Sequence, residues 1–167
     1  MIALFYVASA VALVATAMVV TRPNAVHALM YLVVSFLAVA LDFWVLGAPF
    51  IAALEVILYA GAILVLFIFV VMLVDEGPAG VAREKRRMTP GGWVGPSVLA
   101  LVLLAEVGWI VFQGDATMTA AKVVAPKTVA IALYGPYLIG VEVGSYLLLA
   151  GLVGAWHLAR GKRAARE

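Results

Sequence analysis

The chain has 167 residues, 66% of them hydrophobic and 12% charged, against roughly half and a quarter in a soluble domain, and its mean hydropathy is +1.16. A water-soluble core could not enclose that much apolar surface, whereas 17.6 kDa suits about five spans of about 20 residues with short connections, arranged as one membrane domain. The lack of cysteine excludes an iron–sulfur cluster, a thiolate metal site, a disulfide and a thiol nucleophile within the chain, and the net charge of +2 acquires meaning only when mapped onto sides.

Apolar runs long enough to span a bilayer occur at Ile2–Thr21, Val26–Leu46, Ile51–Val74, Val94–Gln113 and Tyr137–Leu158, so the fold class is an all-α integral membrane protein. The first run contains Ala-Ser-Ala and Ala-Thr-Ala triplets that resemble a signal-peptidase site. It lacks a basic flank and is too long for a signal h-region, so we read it as a retained span. Thr21-Arg-Pro-Asn24 ends the first helix and starts the second, with Pro23 barring continuation and Asn24 placed to cap. Gly47-Ala-Pro49 makes the next reversal. The polar Gly- and Pro-bearing stretches from Asp75 to Gly92 and from Gly114 to Pro136 read as loops.

Lysine and arginine set the orientation, because flanking positive charge stays on the cytoplasmic side. One side collects Arg22, Arg83, Lys85, Arg86, Arg87, Arg160, Lys162, Arg163 and Arg166, and the other holds Lys122 and Lys127. This distribution predicts an external, periplasmic N-terminus and a cytoplasmic C-terminus. The basic clusters serve as topology signals and headgroup contacts. Without interleaved aromatics they give no support to nucleic-acid binding.

Four carboxylates, Asp42, Glu55, Glu106 and Glu142, fall inside the predicted spans, and no lysine or arginine does. An ionisable group in hydrocarbon costs several kcal/mol unless it is paired, hydrated or protonated, so each is a functional candidate. At 1.5 Å per residue they sit about 6 Å (Asp42, Glu55), 8 Å (Glu142) and 10 Å (Glu106) from the outer helix ends. For Asp42 the favoured expectation is snorkelling to periplasmic headgroups. Glu55, Glu106 and Glu142 stand between interfacial solvation and a buried protonatable site. Any cationic partner must come from a loop or another chain.

In the third span Glu55 and Tyr59 are four residues apart and share a face, and Gly61 follows at mid-span. A glycine there weakens helical preference by roughly 1 kcal/mol and permits either a kink or close helix packing. The fifth span carries Gly140-Val-Glu-Val-Gly144 with Gly151 and Ala155 beyond, a small-residue face for another helix, either of this chain or of a partner.

Three segments carry a specific resemblance: Asn24-Ala-Val-His27-Ala-Leu-Met-Tyr31; Leu54-Glu55 through Tyr59-Ala-Gly61-Ala-Ile-Leu-Val-Leu-Phe67 to Met72; and Gly135-Pro136-Tyr137 through Glu142 to Gly151-Leu-Val-Gly-Ala155. They resemble the J-subunit family of bacterial respiratory complex I, the counterpart of mitochondrial subunit six. The resemblance implies a subunit of proton-translocating NADH:quinone oxidoreductase in the bacterial inner membrane. NADH, FMN, iron–sulfur clusters and quinone would be handled elsewhere in the complex, and no cofactor or metal by this chain. It implies partners in the membrane arm: the quinone-proximal subunit, a small three-helix subunit and the antiporter-like pumps. It also implies a π-bulge in the third helix near Tyr59 and Gly61 that relaxes or rotates to gate a hydrated proton path. On this reading Tyr59 and Gly61 form the hinge, Glu55 supports hydration as a polar contact, and Glu106 and Glu142 are further candidates for the path. The short tail after Arg166 departs from relatives with long charged C-termini.

Other readings remain open at this level. His27 and His157, both at cytoplasmic ends of spans, allow bis-histidine haem ligation as in a b-type cytochrome. An accessory subunit of a multisubunit cation/proton antiporter, or a passive scaffold, would carry similar helices.

Overall fold

The computed structural model describes residues 2–73, 91–112 and 123–164, and the regular structure among them is entirely helical. The loop read from Asp75, up to residue 90, lies outside the described residues, as do Arg83, Lys85, Arg86, Arg87, Lys122 and Arg166. Among the described residues five helices are long and apolar enough to cross a membrane: Ile2–Thr21, Ala25–Val45, Pro49–Val71, Gly92–Phe112 and Leu138–Leu158. Chain contacts divide the protein into two compact units, Met1–Val124 and Ala125–Glu167.

In the first unit α1 (Ile2–Thr21) and α2 (Ala25–Val45) form an antiparallel hairpin, and α5 (Gly91–Phe112) packs against both. The core between these three helices consists of Ala8, Val11, Val34, Ala38, Leu41 and Leu103, with Ala15. Ala8, Ala15 and Ala38 are fully enclosed. Small residues at these crossings let backbones approach, and van der Waals packing is the main attraction available between helices in lipid. Asn24 caps α2 as expected: its side-chain oxygen accepts from the Val26 and His27 amides at 2.9 and 3.4 Å.

The reversal after α2 depends on Gly47, the one described glycine with positive φ, at 82°. Its amide donates to the Trp44 carbonyl at 3.0 Å, the Ala48 amide to Phe43 at 2.9 Å, and its own carbonyl accepts from Val124. A left-handed glycine after the last helical turn satisfies carbonyls that the helix leaves orphaned. The third span then runs without a break as α3 (Pro49–Leu54), a π-helical segment π1 (Glu55–Ile63) and α4 (Leu64–Leu73), with Pro49 in the first turn where a missing amide costs nothing.

In the second unit α6 (Pro126–Tyr134) precedes α7 (Leu138–Ala164). The stretch from Gly114 to Pro136, expected to be loop, therefore contains a helix. Pro126 begins it after extended Ala125, the run that follows carries good helix formers, and Gly135 ends it. The Gly135–Tyr137 turn is closed by the Tyr137 amide donating to Ala132 at 3.2 Å. The last helix also extends past Leu158 to Ala164.

Candidate functional site

The π segment is the most unusual piece of backbone. An ordinary helix bonds each amide to the fourth residue back, whereas the Leu64 amide donates to the Tyr59 carbonyl, five back. Nine residues, Glu55–Ile63, adopt this wider turn. π geometry is rare and is held only where the local sequence tolerates it. Gly61 supplies that tolerance: a Cβ built on it would lie 3.2 Å from the Val56 carbonyl oxygen, also five residues back. A side chain here presses on the carbonyl that the wide turn brings beneath it.

No residue of π1 is buried within the chain, but its end is anchored. Leu64, immediately after it, is 2% exposed. Tyr59 packs its ring edge-to-face on Phe36 of α2, with centroids 5.6 Å apart. Glu55 is partly buried at the start of the segment. Val56 and Ile57 line an apolar groove of about 810 Å³, whose other walls include Leu41 of α2 and Leu103 and Val107 of α5. The segment thus has one fixed end, one aromatic contact and open space beside it.

A second set of polar groups runs along α2, of which the sequence reading singled out Asp42 and His27 but not their alignment with Tyr31 and Ser35. His27, Tyr31 and Ser35 are 7%, 3% and 5% exposed, and Asp42 is partly buried. Spacings of four, four and seven put them within one face of the helix over about 22 Å. That spacing was the available signal. His27 meets the Trp93 ring edge-on at 6.3 Å, and a Cβ on Gly92 would overlap its imidazole. The Tyr31 ring lies 5.5 Å under the Arg22 guanidinium, and its hydroxyl occupies the place of a side chain at Gly95. Ser35 Oγ and Thr16 Oγ1 share a hydrogen bond of 2.8 Å across the α1–α2 seam. Ser9 Oγ donates to Asp42 Oδ2 at 3.0 Å.

Glu106 of α5 joins this seam rather than the π segment. It is 7% exposed and sits one helical turn beyond the core residue Leu103. α5 runs alongside α2 with Gly95 against Tyr31, and the same offset of 64 residues sets Glu106 at the level of Asp42. Asp42, expected at the headgroups, is instead tied to Ser9. α1 supplies the hydroxyl at that level; Asp42 is partly buried there and Glu106 is enclosed.

In the second unit Glu142 is exposed on α7, and Ser145 Oγ donates to its backbone carbonyl at 2.7 Å. A Cβ on Gly140, Gly144 or Gly151 would meet nothing within 4 Å. His157 is exposed while His27 is enclosed. Among the described residues no three histidines, aspartates or glutamates converge as a metal site.

Residues 15–158 match the family model described as NADH-ubiquinone/plastoquinone oxidoreductase chain 6. The chain is 54% identical to NADH-quinone oxidoreductase subunit J of Pseudomonas aeruginosa over 163 residues, covering 93% of this chain and 95% of that protein. It is 42% identical to subunit J of Escherichia coli K12 over 160 residues, covering 96% and 87%. Against subunit J of Rhodobacter capsulatus the identity is 37%, covering 90% and 77%.

Proposed function

Since the chain belongs to the NADH-ubiquinone/plastoquinone oxidoreductase chain 6 family, we propose that it couples the redox chemistry of that complex to proton translocation through the π segment of its third span. It is a multi-pass inner-membrane subunit of NADH-quinone oxidoreductase, without a self-contained active site, and its partners are other subunits of that complex. The NADH, FMN, iron–sulfur and quinone chemistry belongs to those other subunits. The chain acts as one membrane domain with its N-terminus periplasmic and its C-terminus cytoplasmic, as the distribution of basic residues argues.

The observation that carries the coupling role is the nine-residue π segment centred on Tyr59 and Gly61. Returning it to α geometry re-pairs a few backbone bonds and rotates one part of the helix against the other by about 100° per residue of register. Leu64 marks the anchored end, the groove beside Val56 and Ile57 leaves room, and the Tyr59–Phe36 contact breaks or reforms. Glu55, at the first turn of π1, supplies a polar group that draws water toward the rotating face. Exposed Glu142 faces a partner or water, and the open Gly140, Gly144 and Gly151 face of α7 packs against another membrane-arm subunit. On this reading its neighbours are the quinone-proximal, small three-helix and antiporter-like subunits.

Purification through an affinity tag on this chain tests the assignment. NADH:quinone oxidoreductase activity with flavin and iron–sulfur absorbance co-purifies if it is right; their absence from an intact preparation overturns it.

A further inference from the structure

Three buried carboxyl oxygens near the Gly47 end of the α1–α2–α5 core have no hydrogen-bond partner among the described residues: Asp42 Oδ1 and both oxygens of Glu106. They lie together because the helices bring them to one level. Ser9 follows the core residue Ala8 on α1, Asp42 follows Leu41 on α2, and Glu106 is one turn past Leu103 on α5, all of one packed cluster. Glu106 is 7% exposed, so no group of another subunit reaches its carboxyl without parting the helices.

The donor inventory is short. Ser9 Oγ is committed to Asp42 Oδ2 at 3.0 Å. None of the three helices contains a lysine or arginine. Their other titratable groups are Tyr6, exposed on α1, and Tyr31 and His27, about three and four turns away along α2. Glu55, on the packed third span, belongs to π1. Two ionised carboxylates in such a site would repel each other, and Glu106 would forfeit hydration with no compensating donor among the described residues. A single proton changes the account. A protonated carboxyl gains an O–H donor, the other keeps its acceptor oxygens, and the orphaned atoms on the two sides satisfy each other directly or through one water.

We propose that Asp42 and Glu106 hold one proton between them, with Ser9 as the positioning donor, forming a proton-binding site in the α1–α2–α5 seam separate from the π segment. The pair binds and releases a proton as a unit, not as two independent acids. Its use in translocation rests on the subunit assignment above; its existence rests on the packing alone.

Infrared spectroscopy of the intact complex tests this, comparing wild type with Glu106→Gln, Asp42→Asn and Ser9→Ala in H₂O and D₂O. The expected result is a carbonyl-stretch band of a protonated carboxylic acid that moves to lower frequency in D₂O. It disappears in whichever of Glu106→Gln and Asp42→Asn removes the proton-bearing acid, and it changes frequency in Ser9→Ala. If both acid variants leave that region of the spectrum unchanged, both groups are ionised and the proposal is overturned. Should Glu106→Gln prevent assembly, Asp42→Asn and Ser9→Ala give the same reading: a lost or displaced band supports the pair, and an unchanged spectrum in both overturns it. The band reports the proton whatever the complex pumps. Its absence leaves the subunit assignment standing, and a failure of NADH oxidation to co-purify leaves the band standing.

Discussion

Gly61→Val probes the π segment where its geometry is most constrained. The added Cβ starts 3.2 Å from the Val56 carbonyl oxygen, tighter than an ordinary contact, and the branched γ-carbons crowd the same turn further. Overpacking of this kind costs about 1–3 kcal/mol, and here it falls on the carbonyl that lies five residues back in the wide turn. A shift of 1–2 kcal/mol lowers the population of the π form relative to the α form by roughly 5–30-fold. Gly61→Ala, which adds the Cβ alone, falls at the low end. The assay is protons translocated per NADH oxidised in inverted membrane vesicles, after the amount of assembled complex has been matched to wild type. Weakened pumping with oxidation retained, or a joint fall of both in an intact complex, is the expected outcome. Wild-type pumping and oxidation in Gly61→Val would refute the switch and leave the third span as scaffold.

Glu55→Gln keeps a polar side chain at the first turn of π1, so pumping per NADH should stay within about twofold of wild type, whereas Glu55→Leu should lower it further. A loss of about tenfold in Glu55→Gln, about 1.4 kcal/mol, would show that the carboxyl itself carries the proton. Gly95→Ala drives a methyl into the Tyr31 hydroxyl and should reduce the assembled complex in membranes through an overpacking cost of about 1–3 kcal/mol. Combining it with Tyr31→Phe removes the obstructing oxygen and should restore part of the loss; no restoration would mean the two residues do not meet as described. Gly144→Leu adds bulk where the chain itself offers no obstacle, so this chain should insert normally while the yield of complex drops. Native gel electrophoresis showing an undiminished complex would remove α7 from the subunit interface.

The spans were legible because hydropathy over about 20 residues is a property of the chain in one dimension, and lipid forces each run into a helix to satisfy its backbone. Asn24, Pro23 and Gly47 marked the reversals for the same local reason: capping and left-handed φ depend on one or two residues. The helix Pro126–Tyr134 was read as loop because its Gly and Pro neighbours dominate the local pattern and its own run is too short to span. Gly61 pointed to a weak place in the third helix, yet composition could not choose between close packing and a wide turn, and the nine-residue length of π1 is visible only in the backbone bonds.

The sequence by itself determined that the protein lives in a bilayer as about five helices, and that its acids outnumber any cation at membrane depth. Which polar groups meet was decided only by tertiary structure. Ser9 and Asp42 are 33 residues apart and Glu106 is 64 beyond Asp42, and nothing along the chain encodes that they share a level. Helix packing sets those meetings, because the rotation and depth of each helix follow from how Ala8, Ala38, Leu41 and Leu103 interlock. The same interlocking turned Asp42 inward to a hydroxyl, enclosed Glu106, and left π1 as the stretch of the third span with no buried side chain.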